Sequence, residues 1–519
     1  MRGELSGRTL FMEARDVTKL KTNRLKRFSL WVGLVLVCGI PRVLTAFLLA
    51  NPDGDAYAYI DNIERWRTSL SAGTFSIKTL FGFWLPTYQF ICAVICLFVD
   101  HPIYVSKLFS AICGMGICLF VFYITLRLVS RPIIAILAFL LIALNPLHIL
   151  FSAFSVTDVP HAFFVLGSLY FTIEKRWMLA AIFAAVAGSM RVESWMLIAL
   201  LPMLQLFAER RLSLRACGIL VIAPLLWLYI SWDATGNPFE YFDTRKRYVD
   251  GLLANYSYLA NPSLERIEWD MSRLVYSANI TVMLGCFAGA WLTAKRLIGL
   301  RSRQVPENLF AILAAGAFYF SFLGFLILAY CSRNQPEIYE RYGLIVFALG
   351  IPILAWTLVA ISGWKPYVTR MLTGLVVLVC FADLDSQFGD IPDYIAQAKP
   401  QQILANNISS ICSANPSTRI FCDDATVQAL SGIPPVRFLG SSNSPNDREL
   451  FLTYLKENGV EYVVYTNTES STITKLFPEL SNGTGSELFQ LFVPATRKDW
   501  HGRIWLYRFQ GVLPAKDSL

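Results

Sequence analysis

Charged residues are scarce in this sequence. Asp, Glu, Lys and Arg make up 16% of its 519 residues, whereas a typical soluble domain carries about 25%. Disordered chains and nucleic-acid-binding tails are rich in charge, so the deficit excludes both classes. It also argues against a wholly soluble enzyme, because it accompanies 55% hydrophobic residues and a mean hydropathy of +0.48.

Two further signatures are missing. The four His and 11 Cys form no cluster with zinc-ligand spacing, and most of the Cys lie in apolar blocks, which excludes a zinc finger. We expect no cleavable signal peptide, because a long, mostly polar stretch precedes the first apolar run and no Ala-x-Ala-like site is evident.

The apolar residues occur in repeated blocks of about 20, each long enough to cross a bilayer as a helix. The sequence therefore predicts a polytopic α-helical membrane protein, in a bacterial inner membrane or the endoplasmic reticulum membrane. The net charge of +8 then reflects basic loops between spans, and we expect membrane lipids but no nucleic acid as partners.

Basic residues predict how the spans are oriented. They flank the first apolar run, so residues 1–27 are expected to form a cytoplasmic basic tail. The block at 81–99 could be a span or a helix in the outer leaflet, and only the second choice leaves five basic loops in the cytoplasm. Eleven spans and an outer C-terminus follow. The predicted spans are 28–49, 104–127, 132–154, 159–173, 177–190, 194–208, 216–232, 276–294, 307–330, 343–362 and 371–388.

The composition changes at about residue 389. Turn residues and short strand-like runs follow, with a helix-like stretch at 447–458. This alternation predicts a periplasmic or lumenal α/β domain over residues 389–519. Cys412 and Cys422 lie in its polar sequence, where either a disulfide or two free thiols would fit.

Candidate site residues gather in the loops on the expected outer side. They are Asp53, Asp55, Tyr59, Asp158, His161, Arg191, Glu193, Arg341 and Tyr342. A carboxylate there can accept a proton from an acceptor hydroxyl or amine, and nearby cations can stabilise a phosphate leaving group. A site with both groups at headgroup depth suits a lipid-phosphate sugar donor.

Structural explanations compete with these roles. Asp55 and Asp158 can each cap a helix, and Arg191 with Glu193 can be a simple interfacial pair. The run Arg245–Arg247, in a long outer loop, is more often a solvated face. Co-location favours function, because carboxylates near membrane depth cost free energy and tend to be functional.

At these residues the sequence resembles the integral-membrane glycosyltransferases of the C-type fold. It is most similar to the family 39 group, with protein O-mannosyltransferases and the lipid A aminoarabinose transferase. The order of features matches over about residues 28–390. Asp55 with Tyr59 resembles the acidic motif of the first loop, Asp158-Val159-Pro160 the Asp-x-Pro-like motif, and Glu340-Arg341-Tyr342 the late Arg-Tyr motif.

Further features of the sequence support this resemblance or depart from it. Trp84-Leu85-Pro86 resembles the proline-containing outer helix of the family, which supports a non-spanning 81–99. The usual Asp-Glu pair is Asp55-Ala56 here, and the lysine that often precedes the proline is absent, so other cations are expected at the donor phosphate. Because no Trp-Trp-Asp motif occurs in the C-terminal domain, an oligosaccharyltransferase is disfavoured.

The resemblance implies that residues 28–388 form a C-type glycosyltransferase domain. It implies transfer of a hexosyl or pentosyl group, with inversion, from a polyprenyl- or dolichyl-phosphate donor to a glycan, lipid or protein acceptor on the outer face. Asp55 would be the general base, with Asp53 as the second choice, and Asp158 would orient the acceptor or the base.

The remaining candidates are assigned to binding. Arg191 and Arg341 would neutralise the donor phosphate, and further substrate contacts are expected from Tyr59, His161, Glu193 and Tyr342. Asp55 and Asp158 could together hold Mg or Mn, the cations that carboxylates suit.

The competing hypothesis is a transporter or flippase for lipid-linked sugars. It predicts inverted repeats and polar residues deep within several spans. The sequence shows no such repeat, and its polar groups gather at one face, which favours the transferase.

Overall fold

In the computed structural model the described residues are 24–51, 54–255, 257–298, 306–362, 374, 399–441, 444–466, 471–495 and 504–511. These ranges leave out most of the basic tail, Asp53, the predicted span 371–388 apart from Gly374, and the expected domain boundary at 389.

The chain begins as a bundle of helices. The described α-helices are α1 (Arg24–Leu48), α2 (Gly54–Ser71), α3 (Thr87–Cys96), α4 (Pro102–Val129), α5 (Pro132–Ala143), α6 (Pro146–Ser152), α7 (Asp158–Ile173), α8 (Trp177–Gly188), α9 (Leu197–Glu209), α10 (Leu214–Thr235), α11 (Glu240–Asn255), α12 (Ser257–Ala260), α13 (Leu264–Ala278), α14 (Ile280–Ile298), α15 (Glu307–Cys331) and α16 (Glu340–Ser362). Short 3₁₀ helices occupy Ile77–Leu80 and Val192–Met196.

Several of these helices can cross a membrane. Over the described residues, six are long and apolar enough: α1, α4, Val192–Glu209 with α9, α10, α15 and α16. The bent pairs α5–α6 (63°) and α13–α14 (78°) raise the number to eight if each is one span. The chain is therefore a multi-pass membrane protein.

The expected spans can be compared with these helices one by one. Eight correspond to the six long helices, to the bent pair α5–α6 and to α14, the second helix of the other bent pair. The spans at 159–173 and 177–190 correspond to the shorter apolar helices α7 and α8, and the span at 371–388 lies outside the described residues apart from Gly374. Helix α3, within 81–99, has 10 residues, about half of what a crossing needs.

Two buried cations close helix ends inside the apolar bundle. Lys107 donates from Nζ to the carbonyls of Ala46 (3.0 Å) and Leu49, at the end of α1. Arg42 donates to the carbonyls of Ala143 (3.0 Å) and Ile142 (3.2 Å), where α5 ends before its bend. The last carbonyls of a helix have no partner within it, and water is scarce at this depth, so these side chains satisfy them.

Helix α16 runs through the centre of the bundle. It packs against α4, α7, α13, α14 and α15, and its residues from Gly343 to Thr357 are all buried. Because Arg341 and Tyr342 lie in its first turn, the packing of α16 fixes both side chains at one end of the bundle.

A small α/β domain follows, as the sequence predicts. Its described elements are α17 (Lys399–Ala414), β1 (Arg419–Phe421), α18 (Ala425–Ser431), β2 (Phe438–Leu439), α19 (Arg448–Glu457), β3 (Val460–Thr466), α20 (Thr472–Leu476), β4 (Phe489–Ala495) and β5 (Ile504–Phe509). The sheet order is β2-β1-β3-β5-β4.

The sheet is mixed. Strand β1 pairs in parallel with β2 and β3, whereas β5 pairs antiparallel with β3 and β4. Apolar clusters cover both faces, one around Phe421 and Phe451 and the other around Leu404 and Ile420. Cys412 and Cys422 are buried free thiols in the second cluster.

The α/β domain packs on the helical part through one short helix. Helix α18 lies against α2, the helix that carries Asp55 near its start. The two parts of the chain therefore meet beside the predicted site.

Candidate active site

A cavity of about 780 Å³ lies at one end of the apolar helices. Its wall comes from the segments after α1, between α6 and α7, between α8 and α9, after α10, and between α15 and α16. Basic loops meet at the opposite end, where Glu307 pairs with Arg127 (3.3 Å) and Lys175 (3.4 Å). The cavity and these expected cytoplasmic loops therefore lie at opposite ends of the bundle.

Asp55 and Arg341 form an ion pair in the cavity wall. Oδ2 of Asp55, in the first turn of α2, lies 2.7 Å from Nη2 of Arg341, in the first turn of α16. The Asp55 side chain is 38% exposed and that of Arg341 11%. Both side chains line the cavity, and the carboxylate is the more exposed of the two.

A second ion-pair cluster joins Asp158, Arg191 and Glu193. Arg191 binds Oδ1 of Asp158 through Nη1 at 2.7 Å and Oε1 of Glu193 through Nη2 at 2.8 Å. Asp158 is 7% exposed and begins α7, whereas Arg191 and Glu193 lie in the turn between α8 and α9. Since two carboxylates share one guanidinium, this cluster is negative overall.

The ring of Tyr342 lies between the two arginines. The guanidinium carbons of Arg191 and Arg341 are 5.2 Å and 5.6 Å from its centroid. Its hydroxyl accepts a hydrogen bond from Nε2 of Gln335 (3.3 Å). Cation–π contact on an aromatic ring adds to the positioning of both guanidinium groups.

Tyr59 lines the cavity, whereas His161 lies behind it. The Tyr59 ring packs against Trp84 at a centroid distance of 4.8 Å, and its hydroxyl faces Oγ1 of Thr157 at 3.5 Å. Burial raises the pKa of Tyr59 well above its usual value, so the phenol stays neutral. His161 is 3% exposed, and its Nε2 lies 2.7 Å from Oγ of Ser194.

The sequence favours a solvated face for the basic run Arg245–Arg247. In the structure two of its three residues are exposed and one is not. Lys246 and Arg247 are exposed, and Arg247 pairs with Glu240. Arg245 instead lines the cavity and donates from Nη2 to Oε1 of Gln335 at 3.3 Å. Sequence reasoning did not single out Arg245 as a site residue.

The spacing of neighbouring residues could have identified Arg245 as a site residue from the sequence. The cavity-lining residues of α11 are Tyr241, Arg245, Tyr248, Val249 and Leu252. They recur at intervals of three and four residues, so they form one helix face. A charged residue on an otherwise apolar and aromatic face is the pattern that marks it.

Arg245 also differs from the other lining arginines in charge balance. Arg191 and Arg341 pair with carboxylates as described, and Nε of Arg273 lies 2.6 Å from Oε1 of Glu340. Within the described ranges no carboxylate oxygen lies within 4 Å of Arg245. Of the four lining arginines, it is therefore the one whose charge is not neutralised by an adjacent acid in the described structure.

The described side chains do not fit the expected Mg or Mn site. Asp55 and Asp158 each face an arginine, whereas Mg²⁺ is held by several oxygen ligands in near-octahedral geometry. Across the described part of the chain, no group of three or more His, Cys, Asp or Glu is arranged to hold a metal ion. Asp53 lies outside it.

Comparison with known proteins identifies the fold. No protein-family model matches the chain, and no curated relative does. The chain is similar to a crystal structure of ArnT from Cupriavidus metallidurans in the apo state, at 13% identity and a TM-score of 0.53, over 94% of this chain and 98% of that chain. ArnT from Cupriavidus metallidurans bound to undecaprenyl phosphate matches at 13% identity and a TM-score of 0.47, over 93% and 98%.

The likeness to the apo structure covers nearly all of both chains, including the helical part and the α/β domain. ArnT is the lipid A aminoarabinose transferase of the group that the sequence resembles. The chain therefore has the polytopic fold of ArnT.

Proposed function

We propose that this protein is a glycosyltransferase that moves a monosaccharide from a polyprenyl- or dolichyl-phosphate donor to an acceptor at the outer membrane face. The observation that carries this proposal is the cavity itself. It brings the half-exposed carboxylate of Asp55 together with four arginines at the ends of apolar helices. A lipid tail in the bilayer would place a donor phosphate at this depth, and the shared fold agrees.

We assign the donor phosphate first to Arg245. A guanidinium recognises phosphate through charge-assisted hydrogen bonds, and this one is not committed to a carboxylate among the described residues. Arg191 already forms ion pairs with both Asp158 and Glu193. Arg341, whose partner Asp55 is 38% exposed, is the second phosphate ligand.

Asp55 is the proposed general base, and Asp158 the group that orients the site. Asp158 is 7% exposed and held by Arg191, whereas Asp55 opens on the cavity. A phosphate bound at Arg341 competes with Asp55 for the guanidinium and so leaves the carboxylate available for a proton.

The proposed reaction is a single displacement. Asp55 takes the proton of the acceptor hydroxyl or amine, whose heteroatom forms the new bond to the anomeric carbon. The bond from that carbon to the phosphate oxygen breaks, and its electron pair leaves on the polyprenyl phosphate. Attack opposite the leaving group inverts the anomeric configuration.

The distribution of charge supports a cavity outside the cytoplasm. The loops at its opposite end carry the basic residues, and such loops stay cytoplasmic. The α/β domain, packed on α2 at the cavity side, is then periplasmic or lumenal.

The test uses the full chain in proteoliposomes. It is incubated with undecaprenyl phosphate carrying labelled hexoses or pentoses, together with an envelope extract as acceptor. We expect release of free undecaprenyl phosphate and transfer of label for at least one sugar. A donor that crosses the bilayer intact would identify a transporter instead, and no reaction with any donor would contradict the transferase.

A further inference from the structure

The cavity wall is completed by the α/β domain. Gln401, in the first turn of α17, lines the same cavity as Asp55 and Arg341. It comes from beyond the helical bundle, and in the described ranges it is the α/β-domain residue in this wall.

Gln401 is carried by α17, which packs against α18, and α18 in turn lies against α2. Asp424 caps α18 by accepting hydrogen bonds from the backbone N–H groups of Thr426 (2.8 Å) and Val427 (3.0 Å). Burial raises the pKa of the Asp424 carboxyl, and hydrogen bonds from these N–H groups and from the Gln401 side chain act against that rise. The Gln401 amide therefore lies beside this helix cap.

The oxygen of this amide is unsatisfied. Oε1 of Gln401 is buried and accepts no hydrogen bond from the described residues. Leaving a buried acceptor without a donor costs free energy, so such atoms call for a ligand or an ordered water. An amide oxygen accepts from O–H and N–H groups and carries no net charge.

We infer that the Gln401 side chain turns its unpartnered Oε1 into the cavity, where it accepts a hydrogen bond from a hydroxyl of the bound substrate, so that the α/β domain is part of the substrate-binding site. The inference rests on the proposed transferase function. The hydroxyl belongs either to the donor sugar or to a sugar-like acceptor, since both present the same chemistry to a neutral amide.

The experiment replaces Gln401 by methionine, which keeps the length and removes the amide. Gln402→Met is the matched control, because Gln402 bonds Asn406 on its own helix (2.9 Å) and does not line the cavity. Both variants are made in the full chain and checked for thermal unfolding. Donor KM, acceptor KM and inhibition by undecaprenyl phosphate, which has no sugar, are measured for each.

Gln401→Met should raise one KM by about threefold to tenfold, the effect of one neutral hydrogen bond. A rise in donor KM assigns the hydroxyl to the donor sugar, and a rise in acceptor KM assigns it to the acceptor. Inhibition by undecaprenyl phosphate should stay unchanged, because that probe lacks the hydroxyl.

Two results would overturn the inference. One is equal KM values for Gln401→Met, Gln402→Met and the wild type. The other is an equal loss of affinity for the sugar donor and for undecaprenyl phosphate, which would mean that the wall had collapsed. A wild type inactive with every donor would instead contradict the proposed function.

Discussion

Arg341 and Asp55 lie 286 positions apart in the chain, yet their side chains meet at 2.7 Å in the cavity wall. Each lies in the first turn of its helix, and α16 is buried along most of its length. The pair thus links a helix that is buried along most of its length to the helix that follows the first span.

Replacing Arg341 by alanine should lower transfer by about 100-fold, as expected when a group that stabilises developing charge is lost. The leaving phosphate would lose a cation and Asp55 its partner. Initial rates at saturating donor test this. Arg65→Ala is the control, because Arg65 is 61% exposed and pairs with Asp61 on its own helix. A rate within twofold of the wild type for Arg341→Ala would argue against the assignment.

Arg245 and Arg247 allow a matched comparison on one helix. Arg245→Ala should weaken binding of undecaprenyl phosphate by about 10- to 100-fold, the value of a hydrogen bond to a charged group. Arg247→Ala should leave it unchanged, since Arg247 is exposed and pairs with Glu240. Titration with the lipid at low and moderate salt measures both. Equal affinities for the two variants would remove Arg245 from the phosphate site.

Asp158→Ala should destabilise the protein more than Asp158→Asn does. Alanine removes one of the two carboxylates that Arg191 binds, and losing a buried hydrogen bond to a charged group costs about 1.5–3 kcal/mol. Asparagine keeps an oxygen that can accept from Arg191, which also retains Glu193. Thermal unfolding in detergent ranks the variants. The prediction would be wrong if alanine and asparagine lowered the unfolding temperature equally.

Gly343→Ala should displace the start of α16, the helix that carries Arg341 and Tyr342. A Cβ atom at Gly343 would lie 2.0 Å from Oγ of Ser277 and 3.0 Å from the backbone N of Ala278, so α16 and α13 would have to separate. Because Arg341 and Tyr342 precede this glycine, activity should fall together with thermal stability. Gly324→Ala is the control, since nothing lies within 4 Å of a Cβ there. Wild-type behaviour of Gly343→Ala would contradict the close packing.

Much of the fold was accessible from the sequence because it depends on local patterns. Apolar blocks separated by basic loops predict the spans, and strand-like runs beyond residue 389 predict the α/β domain. The bend between α5 and α6 was not predicted, because apolar residues flank it on both sides, although Asn145-Pro146 is a local signal for a helix start. The predicted span 276–294 begins close to the break between α13 and α14, and the charge-rich α13 was placed in the long outer loop.

The site was partly accessible for the same reason. Single acidic and basic residues at loop positions could be identified, but their pairing across the bundle depends on packing. Arg245 was missed as a site residue because two other basic residues follow it in the sequence. Only the helical conformation of this segment shows that Arg245 lies on a different face from Lys246 and Arg247. Gln401 carries no charge and belongs to the other domain, so no pattern marks it.

The central claim is that the carboxylate of Asp55 accepts the proton of the acceptor. The most direct test is single-turnover transfer by Asp55→Asn in the full chain, with undecaprenyl phosphate binding measured in parallel. Asp61→Asn, on the same helix, is the control, because Asp61 pairs with Arg65 and does not line the cavity. We predict a loss of about 10²- to 10⁴-fold in rate, the range of general base catalysis, with folding and lipid binding retained. Wild-type transfer by Asp55→Asn would contradict the account.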